Sequence, residues 1–108
     1  MGEYTASDIN VINLAKMSVT EVIKILESHT LMFLPEKHIG YAATFISGYL
    51  CGKGSGEDYE VMSGFDRYIE RKFNITATHG WARNIYNNST DPHSALEYFF
   101  VLFAEYLR

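Results

Sequence analysis

The stretch DPHSALEYFFVLFAEYL, Asp91 to Leu107, states where a helix begins and how deeply it is buried. An aspartate ahead of a proline is a start signal: its carboxylate accepts N–H bonds that no helical carbonyl reaches, and proline fits the first helical position, where no N–H is needed. From Tyr98 to Ala104 every residue is apolar, so no wet stripe survives there and only Glu97 and Glu105 keep a polar edge. A central, enclosed helix is predicted, and with it an all-α fold.

Working back from that helix, the same periodicity recurs. Thr78 is placed to cap a short helix holding Trp81, Ile85 and Tyr86, closed by the turn formers Asn87, Asn88 and Ser89; Asn74 to Ala77 is the connector before it. Upstream, a helix from about Glu57 to Lys72 turns Val61, Phe65, Tyr68, Ile69 and Phe73 inward and Glu60, Asp66, Arg67, Glu70 and Arg71 outward. Its acidic first turn suits the positive end of the helix dipole. Gly52-Lys53-Gly54-Ser55-Gly56 reads as the flexible loop that precedes it. Another helix is predicted to open at Pro35, near Glu36, and to carry Ile39, Ala42, Ala43, Ile46, Tyr49 and Leu50 on one side. Gly40 and Gly48 within it suggest close approach of a neighbouring helix.

Leu31-Met32-Phe33-Leu34 runs into Pro35, which disfavours helical dihedrals at Leu34, so an extended connector pressed onto the core is expected. Ser18-Val19-Thr20-Glu21 is a capping box that starts a helix with Val22, Ile25, Leu26 and His29 inward, ending between Ser28 and Thr30. A first helix from about Ser7 to Lys16, with Ile9, Ile12 and Leu14, completes the N-terminal part, residues 1–17. Five or six helices with short links and no period-2 stretch make a compact single-domain bundle over residues 1–108.

Composition narrows the function. At 47% apolar and 15% aromatic, the 108 residues are expected to bury one core without staples. The single cysteine, Cys51, cannot close an internal disulfide, and no basic-then-apolar leader is visible at Met1, so a reducing cytoplasm is expected. The longest apolar run, seven residues, falls far short of the roughly 20 that a membrane span needs. Thirteen acids against nine bases give a formal charge of -4, which argues against direct binding of nucleic acid, because such binders replace counterions with Lys and Arg. The same sign favours encounter with a basic protein.

No catalytic set emerges, so the chain is not expected to be an enzyme, and nothing calls for a cofactor. His29, His38, His79 and His93 show neither i, i+4 pairing nor a zinc pattern, so no metal site is expected. His93 is placed on the surface. Cys51 has no marked base beside it and reads as a small packing residue. The glycine-rich loop lacks both the GxxxxGK[ST] spacing and a preceding strand, so it is not a phosphate loop. Trp81 reads as the residue that locks its short helix onto the core. Glu57, Asp58, Tyr59 and Glu60 combine charge with an aromatic side chain, a composition that fits either a protein-binding rim or simply an acidic helix start. With Asp66 and Glu70 farther along the same helix, these six are the candidate partner-binding residues.

Met32-Phe33-Leu34, Phe45-Ile46-Ser47-Gly48-Tyr49, Gly64-Phe65 with Tyr68-Ile69 and Phe73, Trp81 with Ile85, and Ala95-Leu96-Glu97-Tyr98-Phe99-Phe100 with Tyr106-Leu107 follow a recurrent pattern, roughly RPxMYLG, FxxGY, GFxxW, W and ALExFFxLLxEFL. Over residues 29–108 the chain resembles small helical bacterial immunity proteins of contact-dependent growth inhibition and other polymorphic toxin systems. It departs where His29 and Thr30 stand for Arg-Pro and where Pro35 stands for Gly. The resemblance implies a protein that binds and neutralises a cognate toxin domain. With the acidic charge, a basic nuclease such as an EndoU-like tRNA-cleaving ribonuclease is the first expectation. The alternative is a helical regulatory or adaptor domain that binds a non-toxin protein. The matching positions are mostly apolar or Gly, so they report the fold and not a binding face.

Overall fold

Six helices and no strand are present among residues 17–75 and 79–108, the part of the chain that the computed structural model describes. They are α1 (Val19–Ser28), the single turn α2 (Thr30–Phe33), α3 (Ile39–Lys53), α4 (Gly56–Lys72), α5 (Trp81–Asn87) and α6 (Pro92–Leu107). The all-α expectation holds. The Ser7 to Lys16 helix and the Thr78 cap lie outside the described residues.

Two starts form as the sequence predicts. The Ser18 hydroxyl accepts the Glu21 N–H at 3.2 Å while the Glu21 carboxylate accepts the Ser18 N–H at 3.0 Å, which closes the capping box of α1. Asp91 accepts the Ser94 N–H at 2.7 Å, with Pro92 in the first turn of α6. Substituting such a cap by alanine typically costs about 1 kcal/mol.

Three local expectations are corrected. Leu31 to Phe33 are helical and not extended, and Leu31 and Met32 point into solvent, 63% and 45% exposed. Proline disfavours the helical conformation only at its immediate neighbour, and Leu34 alone is extended and buried. Helix α3 opens at Ile39, because His38 caps it: its Nδ1 accepts the Gly40 N–H at 2.9 Å. Neither Gly40 nor Gly48 marks a helix crossing. A Cβ on Gly40 would meet only the His38 ring, and one on Gly48 would meet nothing within 4 Å.

The close approach lies instead at Gly64, where a Cβ would fall 2.3 Å from the Tyr106 hydroxyl. That hydroxyl donates to the Val61 carbonyl at 2.9 Å and so pins α6 against α4. Nearby, Lys72 pairs with Glu105 at 2.7 Å, and the Tyr68 hydroxyl donates to the same carboxylate. Helix α6 packs on α3, α4 and α5, while α1 packs on α2, α3 and α4. Phe65, fully buried, is the hub, with the rings of Trp81, Phe99, Phe103 and Tyr106 centred 5.2–5.7 Å from its own. Trp81 stacks on Phe99 at 4.6 Å and fixes the seven-residue α5 to the core. The enclosure expected of α6 is incomplete: Ala95, Leu96, Phe99, Leu102 and Phe103 are buried, but Val101 is 60% and Leu107 43% exposed.

Candidate functional site

The acidic face of α4 begins at its cap. Gly54 closes α3 by donating to the Tyr49 and Leu50 carbonyls, and Ser55 caps α4 at once. The glycine-rich stretch is therefore not a flexible loop: helix occupies both of its sides and only Gly54 and Ser55 link them. The Ser55 hydroxyl accepts the Asp58 N–H at 3.2 Å and Asp58 Oδ2 accepts the Ser55 N–H at 3.0 Å, a second capping box.

That box turns Asp58 inward. It is only 6% exposed, and Oδ1 accepts the N–H of Val19, the first residue of α1, at 3.0 Å. Oδ2 also lies 3.4 Å from the Tyr49 hydroxyl, which in turn donates to the Met17 carbonyl. Burial by itself would raise the Asp58 carboxyl, but the N–H groups of Val19 and Ser55 and the hydroxyls of Ser55 and Tyr49 outweigh it and hold the group below its ordinary value. The Tyr49 phenol moves the opposite way, raised by burial and by the Asp58 charge. Asp58, a candidate partner contact by sequence, is thus a joint between two helix starts. Its charge is spent inside the fold.

Asp66 has a comparable task. Gly80 stands at the N-cap of α5, where its φ of +83° suits a residue without Cβ and leaves no side chain to cap with. The Asp66 carboxylate supplies the cap from α4, accepting the Trp81 N–H at 2.7 Å. It is half-buried, and burial raises its carboxyl; the Trp81 N–H opposes, Glu70 raises it further and Arg67 lowers it, with a net upward result.

The other candidates stay at the surface. Glu57 and Glu60 are exposed, Glu70 is half-buried, and Tyr59 is 47% exposed with its hydroxyl donating to the Leu50 carbonyl at 2.8 Å. Helical spacing puts Tyr59, Asp66 and Glu70 on one stripe and Glu57 and Glu60 on another, the latter continued by Arg67 and Arg71. The six residues do not form one acidic patch. What remains available to a partner is the first turn, Glu57, Tyr59 and Glu60, with Glu70 to one side.

Two surfaces went unread in the sequence. One is a largely apolar groove between α1 and α6, lined by Ile23, Phe100, Phe103, Ala104 and Leu107 together with the charged Lys24, Glu27 and Arg108, with Val101 beside it. Its signal was the unbroken apolar run of α6, which exceeds what one core-facing side accommodates. The other is a cleft between the starts of α3 and α6 and the outer side of α5, lined by His38, His79, Arg83 and Tyr86 among others. His79, Arg83 and Tyr86 stand at i, i+4 and i+7, one helix-like stripe, but His38 joins them from 41 residues upstream of His79, so that spacing alone does not announce a cleft. Cys51, expected to pack, is exposed. His93 is at the surface, 3.5 Å from Glu97. Among the described residues no group of three or more His, Cys, Asp or Glu is placed to hold a metal, and no helix is long and apolar enough to cross a membrane.

No protein-family model matches this chain, and no curated protein or solved structure matches it either.

Proposed function

We propose that this protein is an immunity protein: it binds a cognate bacterial toxin domain in the cytoplasm and neutralises it by covering its surface, without catalysis. The observation that carries the reading is an acidic balance, thirteen acids to nine bases, with Glu57 and Glu60 free in solvent at the start of the longest described helix. Inhibition by occlusion requires a complementary surface held in place and no reactive group. The aromatic core and the capping box of α4 supply such a scaffold. The resemblance of residues 29–108 to immunity proteins supports the same reading, and the charge makes a basic nuclease, an EndoU-like ribonuclease first, the preferred target.

Co-expression tests it. The cognate toxin domain, sought first in the gene next to this one, should arrest growth when produced alone; produced with this protein, it should permit growth and co-purify with it. Absence of both rescue and co-purification overturns the reading. A second reading, an adaptor that docks a non-toxin protein, draws on the apolar groove between α1 and α6, because exposed apolar surface of this kind marks protein contact in general. It predicts no rescue.

A further inference from the structure

Away from α4, a cleft of about 580 Å³ opens where the entry to α3, the outer side of α5 and the first turn of α6 meet. Its size is in the range of small-molecule sites, roughly 300–1,000 Å³. Ile39, Ala82 and Pro92 give it apolar walls, and its polar side chains are His38, His79, Arg83 and Tyr86.

These four offer donors. Arg83 has only N–H groups to present. At His38, Nδ1 already accepts the Gly40 N–H, so the neutral ring carries its proton on Nε2. Tyr86 presents a hydroxyl and is 43% exposed. Among the described residues no carboxylate lines the cleft. The ion pairs among the described residues are Lys72 with Glu105 and His93 with Glu97. The Arg83 guanidinium is therefore not neutralised by a described acid. A fixed positive charge beside further donors and apolar walls is the arrangement that recognises an oxyanion on a small organic body: guanidinium matches phosphate or carboxylate with two parallel bonds, and the walls cover the rest of the molecule.

We propose that this cleft binds a small molecule bearing a phosphate or carboxylate group, with Arg83 as the principal anchor and His38, His79 and Tyr86 as flanking donors. The site does not depend on the immunity reading and shares no residue with the acidic end of α4. The test is amide-resolved NMR titration of the whole protein at constant ionic strength, with inorganic phosphate, adenosine 5′-monophosphate and benzoate as probes. Saturable shifts centred on Ile39, Gly40, Ala82, Arg83 and Tyr86 are expected from at least one probe. Response to phosphate and the nucleotide alone assigns a phosphate ligand, and response to benzoate alone assigns a carboxylate. Arg83→Gln should weaken that binding roughly tenfold or more and leave thermal unfolding unchanged, since the side chain is exposed and forms no ion pair with a described residue. His79→Gln should weaken it by a smaller factor. The proposal is overturned if none of the probes gives saturable shifts in the millimolar range, if the shifts centre elsewhere, or if Arg83→Gln binds as the parent does.

Discussion

Asp58 serves two helix starts with two oxygens, and its titration shows in which direction that matters. The carboxyl lies below its ordinary 3.8, so over that range the unfolded chain binds the proton more readily than the folded one. Stability from this group is fully present above about pH 3.8 and is lost as pH falls through the lower folded value. Asp58→Asn should remove that acid dependence. Its amide also offers NH₂ where a carboxylate oxygen faced a donor, so one buried N–H loses its acceptor, at a cost of about 2 kcal/mol at neutral pH. Urea unfolding at pH 7 and pH 3 measures both effects; equal midpoints for parent and variant at pH 7 would mean that the joint contributes nothing. Part of this was legible. Asp58 shares the stripe of Met62, Phe65 and Ile69, at i+4, i+7 and i+11, and Ser55 three residues before it completes a capping pattern. The glycines on either side made Ser55 read as loop, and that hid both signals. The role of Asp66 was not legible at all, since its partner N–H lies 15 residues on, beyond a turn.

The starts of α1 and α6 could be read locally, because a cap is a local pattern and Ser18, Glu21 and Asp91 carry theirs within four residues. Helix contacts could not be, and the glycines show why. Gly48 and Gly64 are both interior to helices, yet Gly48 has open space around it while Gly64 abuts Tyr106. Gly48→Ala should stabilise the protein by about 0.5–1 kcal/mol, because alanine is the better helix former. Gly64→Ala gains the same propensity but drives a Cβ into a ring that is packed on Phe65, Tyr68 and Phe103. Overpacking costs about 1–3 kcal/mol, so the net change is a loss of about 1 kcal/mol. Thermal melts of the two variants should shift in opposite directions. If both rise, the α4–α6 contact is looser than the Tyr106 bond to Val61 implies.

Across the molecule the acids divide into those that hold the fold and those left to a partner, which refines where charge reversal should act. Glu57→Lys with Glu60→Lys leaves Asp58 in its joint and Asp66 on its cap. The pair should lower stability by no more than about 1 kcal/mol, through lost complement to the helix dipole, and slow association with a basic toxin domain by about tenfold at low salt, with a flatter salt dependence. Stopped-flow association at two ionic strengths reads this directly; unchanged rates would move the binding face to the groove between α1 and α6 and leave the inhibitory role intact. The bond from Val19 to Asp58 also has a consequence in time. The first N–H of a helix ordinarily faces water and trades its proton for deuterium almost at once. At Val19 that N–H is buried against a carboxylate 39 residues away, so it becomes accessible only when α1 lifts from α4. Its exchange should keep pace with that of the Phe65 amide in the core and not with fraying of its own helix, so that one proton reports the opening of the whole bundle.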